Sequence, residues 1–252
     1  MKKNAVILKE PHIDQPIMLA CWPGMGYVAL SVAKYIQKYL RAEKFAEIDA
    51  DDYFQIPGIT IQKGLINPIS LPSNTFYFWK SPEKSLVIFI SESQPAPGKE
   101  YVLAQQVIDV VERYKVNTIF TAAAMPIEIS HKDTPSVWAV GSSKEVLNRL
   151  NQSGVKLMKD GRISGMNGSL LGMAKQKGID GICLLGEIPY YTIQIENPKA
   201  TRAVIEVFCM LTGIVVATTE LDQLAQYMEQ EVDNYLHLLQ ERAKKEPTQT
   251  LH

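Results

Sequence analysis

A glycine-rich turn near the start of the chain is the first segment whose residue types suggest chemistry. Gly24 and Gly26 separate an apolar run from a helical pattern, and residues 24–29 (GMGYVA) match the G-x-G-x-x-A form of a dinucleotide-binding loop. Glycine lets backbone N–H groups approach a phosphate at a helix N-terminus, where the helix dipole favours negative charge. Glu47 and Asp49 follow at about the twenty-residue separation expected for a ribose contact. The alternative is a tight strand-to-helix turn that needs residues without side chains.

A second glycine-rich loop lies in the last third of the chain. Residues 163–171 (ISGMNGSLL) contain Gly165, Asn167 and Gly168 and precede another apolar helical pattern. Asn167 can both donate and accept hydrogen bonds, whereas Ser169 is interpreted as a cap of the following helix. We expect the two glycine loops to face one crevice on the same sheet.

Acidic residues follow three of the predicted strands. Glu92, Glu128 and Glu187 come shortly after apolar runs that read as strands. In open α/β sheets the carboxyl ends of the strands are where ligands bind. Paired carboxylates there can serve as acid and base if burial separates their pKa values. The alternative for each residue is an exposed acid at the start of a loop.

His131 is the remaining candidate for proton transfer. It is the one histidine of four that lies in the body of the chain, within residues 130–133 (SHKD). A Ser-His-Asp arrangement with Ser91 or Ser93 is an alternative, because such triads are defined by geometry and not by chain order. The sequence contains no G-x-S-x-G elbow, Walker loop, H-E-x-x-H segment or paired C-x-x-C. We therefore predict no metal and no cofactor.

Composition limits the classes of partner. A formal net charge of −1 supplies no long-range field that would recruit nucleic acid or an anionic membrane. A hydrophobic content of 46% predicts a sizeable buried core. The widely spaced Cys21, Cys183 and Cys209 fit neither a disulfide framework nor a zinc site. With no export signal and no apolar stretch near the roughly 18 residues that span a bilayer, we expect a soluble, cytoplasmic protein.

The elements that must position these residues follow from alternating strand and helix patterns. Near-continuous apolar runs are typical of strands covered on both faces. The predicted strands are residues 5–8, 17–22, 75–79, 86–90, 118–123, 136–140 and 181–185. The predicted covering helices are residues 27–42, 101–114, 168–177 and 199–211. Residues 51–73 are rich in proline and glycine and are expected to form short strands and turns outside this alternation.

The last predicted helix differs from the others because its apolar residues follow a heptad spacing. These residues are Leu221, Ala225, Met228, Val232, Tyr235 and Leu239. A packed helical partner is implied, either in a coiled coil or on the helix's own domain or a neighbouring subunit. We predict an α/β domain over residues 1–220, a C-terminal helix over 221–246 and a disordered tail over 247–252.

Five segments in order resemble the proteasome-assembly-chaperone-two family. They are residues 22–29 (WPGMGYVA), 48–54 (IDADDYF), 94–95 (QP), 163–168 (ISGMNG) and 183–189 (CLLGEIP). The resemblance extends over residues 5–230 and implies a three-layer α/β/α fold of phosphorylase or hydrolase type, with a mixed, mostly parallel sheet. It also implies self-association, and it attributes the glycines to turn geometry and not to a dinucleotide.

The resemblance carries expectations about partners. Members of the family with a chaperone role help to assemble the proteasome α-ring, and some prokaryotic relatives engage it through a C-terminal hydrophobic-Tyr-any tripeptide. The sequence ends Thr250-Leu251-His252, with leucine where that tyrosine stands. Docking on proteasome α-subunits through such a tail is therefore in doubt.

The leading hypothesis is a non-catalytic, homo-oligomeric scaffold that binds protein in the manner of a proteasome assembly chaperone. The alternative is a small-molecule enzyme or sensor of nucleoside-phosphorylase-like architecture that binds a phosphate- or nucleotide-containing ligand. The candidate ligand crevice comprises Gly24, Gly26, Glu92, Glu128, His131, Gly165, Asn167, Gly168 and Glu187. No nucleic acid and no membrane is expected as a partner.

Overall fold

The computed structural model describes residues 5–49, 53–54, 58–67 and 71–245. The strands are β1 Val6–Ile7, β2 Ile17–Cys21, β3 Glu43–Glu47, β4 Ile61–Gln62, β5 Leu65–Ile66, β6 Asn74–Lys80, β7 Ser85–Ser91, β8 Thr118–Ile127, β9 Val137–Gly141, β10 Lys156–Leu157 and β11 Asp180–Pro189. The helices are α1 Val28–Leu40, α2 Glu100–Arg113, α3 Lys144–Gln152, α4 Gly165–Gln176, α5 Pro198–Thr212 and α6 Thr219–Lys245.

Nine of the strands form one sheet in the order β1-β3-β6-β7-β2-β8-β11-β9-β10, and β4 pairs with β5 in a separate hairpin. The four central strands, β7, β2, β8 and β11, run parallel to one another. Antiparallel pairs flank this centre, with β6 beside β7 and β9 beside β11. The predicted mixed, mostly parallel sheet is thereby confirmed.

Helices cover both faces of the sheet and give it three layers. Leu19 belongs to a core with α1, α3, α5 and α6, whereas the neighbouring Met18 belongs to a core with α2 and α4. This division follows from the strand, because successive side chains point to opposite faces. Phe120 of β8 and Phe208 of α5 meet edge to face, with their ring centroids 5.2 Å apart. The three-layer α/β/α fold is confirmed.

Three elements were absent from the prediction, namely β3, α3 and β10. Only Phe45 and Ala46 of β3 are buried, so the strand shows too little alternation to be recognised. In α3 only Val146 and Leu150 are buried, and its other residues are mostly polar. The Ser143 hydroxyl accepts a hydrogen bond from the backbone N–H of Val146 and so caps α3, a local signal that marks the start of a helix.

Two element boundaries move predicted site residues. Helix α4 begins at Gly165 and not at residue 168, so Gly168 lies inside the helix and not in the loop before it. Strand β11 continues to Pro189 and pairs along its full length with β8. Glu187 therefore lies within a strand and not beyond its end, as the sequence had suggested.

Helix α6 begins at Thr219 and packs in its first half on its own chain. Leu221, Ala225 and Val232 are buried there. These apolar heptad residues form a row along the helix, which we call the seam. The seam then continues past the domain, since Tyr235 is 61% exposed and Leu239 is 42% exposed. The predicted tail, residues 247–252, lies outside the described residues. No helix in the described part of the chain combines the length and the apolarity needed to cross a membrane.

Candidate functional site

The carboxyl ends of β2 and β7 mark the point where the chain leaves the sheet in opposite directions. These strands are parallel neighbours, yet β2 leads to α1 on one face and β7 leads to α2 on the other. A crevice opens at such a point because the two connections diverge, and open α/β sheets bind ligands there. A cavity of about 540 Å³ lies beside this crevice.

The first glycine loop contributes only one of its two glycines to this cavity. Gly24 borders it, and a Cβ at Gly24 would meet no atom within 4 Å. Gly26 instead packs against the segment before α5. It has φ +61°, and a Cβ there would lie 2.7 Å from Nδ2 of Asn197. Its N–H donates to the Ile193 carbonyl at 2.8 Å. The second glycine thus serves close packing and the turn, not a ligand.

A glutamine side chain links the two glycine loops. Nε2 of Gln94 donates to the Pro23 carbonyl at 2.7 Å. Its Oε1 lies 3.4 Å from the position that a Cβ would take at Gly165, a residue with φ +66°. Gly24 and Gly165 border the same cavity, so the two loops face one crevice. Gln94 holds them there across the end of the sheet.

Asn167 and Gly168 fix the start of α4 against the sheet. Nδ2 of Asn167 donates to the Ala122 carbonyl of β8 at 2.8 Å, while its Oδ1 is buried and has no partner among the described residues. A Cβ at Gly168 would clash with the Ile163 carbonyl oxygen. Gly168 borders a neighbouring cavity of about 340 Å³ and not the one between the glycine loops.

Glu187 joins β11 to the start of β9. Its side chain is buried, Oε2 accepts from the Ser136 N–H at 2.7 Å, and Oε1 accepts from Nε1 of Trp138 at 2.7 Å. Both oxygens of this buried carboxylate are thus engaged by N–H donors. The arrangement makes Glu187 a cross-strand clamp and leaves no free oxygen for proton transfer in the described structure.

The other two acids lie apart from Glu187. Glu92 accepts a hydrogen bond at Oε2 from the Ser73 N–H at 2.9 Å, and this backbone bond lowers the pKa of its carboxyl. Glu128 follows β8 and is exposed. Within the described residues, these three carboxylates form no hydrogen-bonded pair. An acid–base dyad of the predicted kind is therefore not assembled.

The His131 imidazole contacts helix α6 and does not contact a serine nucleophile. Its Nδ1 lies 2.9 Å from the Tyr191 hydroxyl and its Nε2 lies 3.0 Å from Oδ1 of Asp233. The Ser91 hydroxyl donates to the Ser93 carbonyl at 2.7 Å. The Ser-His-Asp alternative with either serine is not formed, because both nitrogens of the imidazole contact other groups.

The structure thus divides the nine predicted site residues. Gly24, Gly165 and Asn167 border the 540 Å³ cavity. His131 and Glu187 border a crevice of about 40 Å³ beneath α6. Gly168 borders the cavity of about 340 Å³, and Gly26, Glu92 and Glu128 border none of these spaces. Sequence reasoning did not single out Arg162 or Met158, which border the larger cavity, since an isolated arginine or methionine in a loop carries no pattern.

Metal and thiol chemistry find little support in the part of the chain that the structure describes. No group of three or more histidine, cysteine, aspartate or glutamate residues there is placed to hold a metal ion. Burial raises the pKa of the Cys183 thiol to about 11, and that of Cys21 still further. Both thiols are free and buried, and they remain protonated at neutral pH.

Known proteins share this fold over nearly their whole length. The chain is similar to PbaB of Pyrococcus furiosus, an archaeal proteasome activator, with 27% identity, a TM-score of 0.80, and coverage of 93% of this chain and 99% of that one. It is also similar to PbaA of the same organism, an archaeal homolog of proteasome-assembly chaperone, with 26% identity, a TM-score of 0.74 and 96% coverage of each chain.

A curated relative and a family model agree with these structures. Uncharacterized protein MJ1210 of Methanocaldococcus jannaschii is 28% identical over 236 residues, which cover 93% of this chain and 88% of that protein. The model of the PAC2 family matches residues 18–236. The resemblance that the five sequence segments indicated is confirmed, and the chain belongs to the PAC2 family.

Proposed function

We propose that this protein is a non-catalytic scaffold that binds other proteins in the manner of a proteasome assembly chaperone. The candidate catalytic groups support this, because they hold the fold together: Glu187 clamps two strands and His131 anchors α6. The similarity to PbaA and PbaB supports proteasome subunits as the partners.

The exposed end of α6 is the observation that carries this proposal. The seam of the helix is buried at Leu221, Ala225 and Val232 and exposed at Tyr235 and Leu239. Leu238, beside this seam, is 53% exposed. A heptad seam that continues past its own domain presents large apolar side chains suited to a second helix. A second copy of the chain offers the same seam, so we assign self-association to this end of α6.

The free cysteines favour the cytoplasm as the compartment. Cys21, Cys183 and Cys209 are free thiols, and unpaired thiols persist where the environment is reducing. We propose that the protein meets its partners there.

Gel filtration with light scattering tests the proposal. The purified protein is mixed with proteasome α-subunits, and the elution and mass of the mixture are compared with those of each component. We expect a species that contains both proteins. Components that elute separately at micromolar concentration would contradict the role in proteasome assembly, while the mass of the protein alone reports independently on self-association.

A further inference from the structure

The scaffold function proposed above assigns no role to the cavity between the glycine loops. Its volume of about 540 Å³ falls within the range of roughly 300–1,000 Å³ that is usual for small-molecule sites. Met25, Met125, Met158 and Leu185 give it apolar walls. Methionine adapts its shape to what it contacts, so these walls can pack against the body of an organic molecule.

The charges around the cavity favour an anion. Arg162 borders it and has no hydrogen bond or ion pair within the described ranges. Among the described residues, Glu100 is the one carboxylate that borders it, and its Oε2 accepts from the Gly98 N–H at 2.8 Å. Glu100 also lies in the first turn of α2, where the helix dipole compensates a negative charge. Of the two charged side chains that the described part of the chain places at the cavity, the Arg162 guanidinium is the one without a compensating group.

The start of α4 adds backbone donors at the same place. Ser164 and Gly165 border the cavity, and the Ser164 side chain makes no capping bond. Ser143, at the start of α3, does cap its helix through a bond of 3.2 Å to the Val146 N–H. The first N–H groups of a helix need acceptors, and a phosphate meets that need.

Two buried polar atoms beside the cavity lack partners in the described structure. Trp22 is 1% exposed, and its indole N–H has no acceptor. Oδ1 of Asn167 has no donor. The amide of Asn167 is oriented by its bond to the Ala122 carbonyl, because only the NH2 group can donate to a carbonyl. Both residues border the cavity. Neither atom has exposed surface of its own, so the two residues border the cavity through their other atoms.

We propose that this cavity binds an organic phosphate of the size of a nucleoside monophosphate. The phosphate lies at Arg162 and the start of α4. The organic part packs against the methionines and Leu185. Inorganic phosphate fills too little of the volume, and an uncharged nucleoside leaves Arg162 unpaired. This inference goes beyond the scaffold function and does not depend on it.

Calorimetry and thermal denaturation of the full chain test the site. The probes are the four common nucleoside 5′-monophosphates, adenosine and inorganic phosphate. We expect at least one monophosphate to raise Tm by about 5–10 °C at a hundred times its Kd. Adenosine and inorganic phosphate should each bind at least about tenfold more weakly, since each lacks half of the contacts. If no monophosphate binds at millimolar concentration, or if adenosine binds equally well, the proposal is wrong.

Matched variants locate the phosphate. Arg162→Gln should weaken monophosphate binding by about tenfold or more, because a charge-assisted hydrogen bond is lost. Lys159→Gln is the control, since Lys159 is exposed three residues away and borders the neighbouring cavity. Equal Kd values for wild type and Arg162→Gln, or equal weakening in both variants, would overturn the assignment.

A third variant tests the volume. Ala123 borders the cavity and is partly exposed, so Ala123→Leu narrows the space without burying a new polar group. We expect the variant to retain its circular dichroism spectrum and to lose monophosphate binding. Undiminished binding by a folded Ala123→Leu protein would show that the ligand lies elsewhere.

Discussion

Nε2 of His131 lies 3.0 Å from Oδ1 of Asp233, which joins the segment after β8 to helix α6 across 102 residues of sequence. The second oxygen of Asp233 lies 2.8 Å from Nζ of Lys132. Lys199 pairs with Glu229 one turn earlier on α6. A set of polar contacts therefore supplements the buried seam and holds the first half of α6 on its own domain, while the second half extends beyond it.

Loss of the Asp233 carboxylate should loosen α6. In Asp233→Asn the ion pair with Lys132 is removed, and we expect faster amide exchange in α6 with little change in the sheet. Hydrogen exchange measured by mass spectrometry resolves the two regions. Glu231→Gln is the matched control, because Glu231 is exposed on the same helix and has no ion pair among the described residues. Equal exchange in the two variants would show that the Asp233 contacts do not hold the helix.

Acid should have the same effect as this substitution. Hydrogen bonds from Lys132 and then His131 lower the pKa of Asp233. A lowered pKa in the folded state means that stability is fully present above the unfolded pKa, near 3.9, and is lost as pH falls through the folded value. We expect the protection of α6 amides, measured against their intrinsic exchange rates at each pH, to fall in the wild-type protein below about pH 4, and this fall should be smaller in Asp233→Asn.

The two glycines of the first loop should respond differently to the same substitution. Gly26→Ala places a Cβ at φ +61° and 2.7 Å from Nδ2 of Asn197. That amide already donates to the Thr192 and Ile195 carbonyls, at 3.0 and 2.8 Å, and resists displacement. We expect a loss of about 2 kcal/mol in the free energy of unfolding.

Gly24→Ala is the control for that experiment, because its Cβ meets no atom within 4 Å and its φ of −162° is extended backbone. A change within about 0.5 kcal/mol is expected. Urea denaturation followed by circular dichroism gives both values. Similar losses in the two variants would argue against close packing as the role of Gly26.

Glu187 should prove structural when it is changed. Glu187→Gln keeps one acceptor but turns an NH2 group towards either the Ser136 N–H or the Trp138 Nε1–H. We expect a loss of about 1–3 kcal/mol, the cost of a buried donor without a partner. Glu128→Gln, at an exposed position after β8, should change stability by less than about 0.5 kcal/mol. The clamp assignment fails if urea denaturation gives the same midpoint for both.

The exposed end of α6 should control the oligomeric state. Tyr235→Glu places a charge in the apolar seam, and we expect the mass measured by light scattering to fall to that of a monomer. Asn234→Glu adds the same charge at the adjacent exposed position and should leave the mass unchanged. A wild-type protein that is already monomeric at high micromolar concentration would contradict self-association through α6.

Much of the architecture could be predicted from the chain itself, because burial imposes local periodicities. The continuous apolar runs of β2, β7 and β8 predicted doubly covered strands, and the stripe of α5 predicted a covering helix. The family resemblance rested on short segments with characteristic turn residues. Strand β3 and helix α3 escaped prediction because each buries only two side chains, too few to create a pattern.

The sequence by itself determined the α/β class, the central strands and the two glycine turns, since each depends on residues close together along the chain. Only the tertiary structure decided what those residues do. Position 26 requires glycine because the Asn197 side chain packs against it. Glu187 has a structural role because the Ser136 and Trp138 N–H donors bond to both of its oxygens. The cavity exists because Trp22, Met158 and Arg162 converge at one end of the sheet. Contacts between residues so far apart leave no local pattern, because the free energy that selects them arises only when the layers pack.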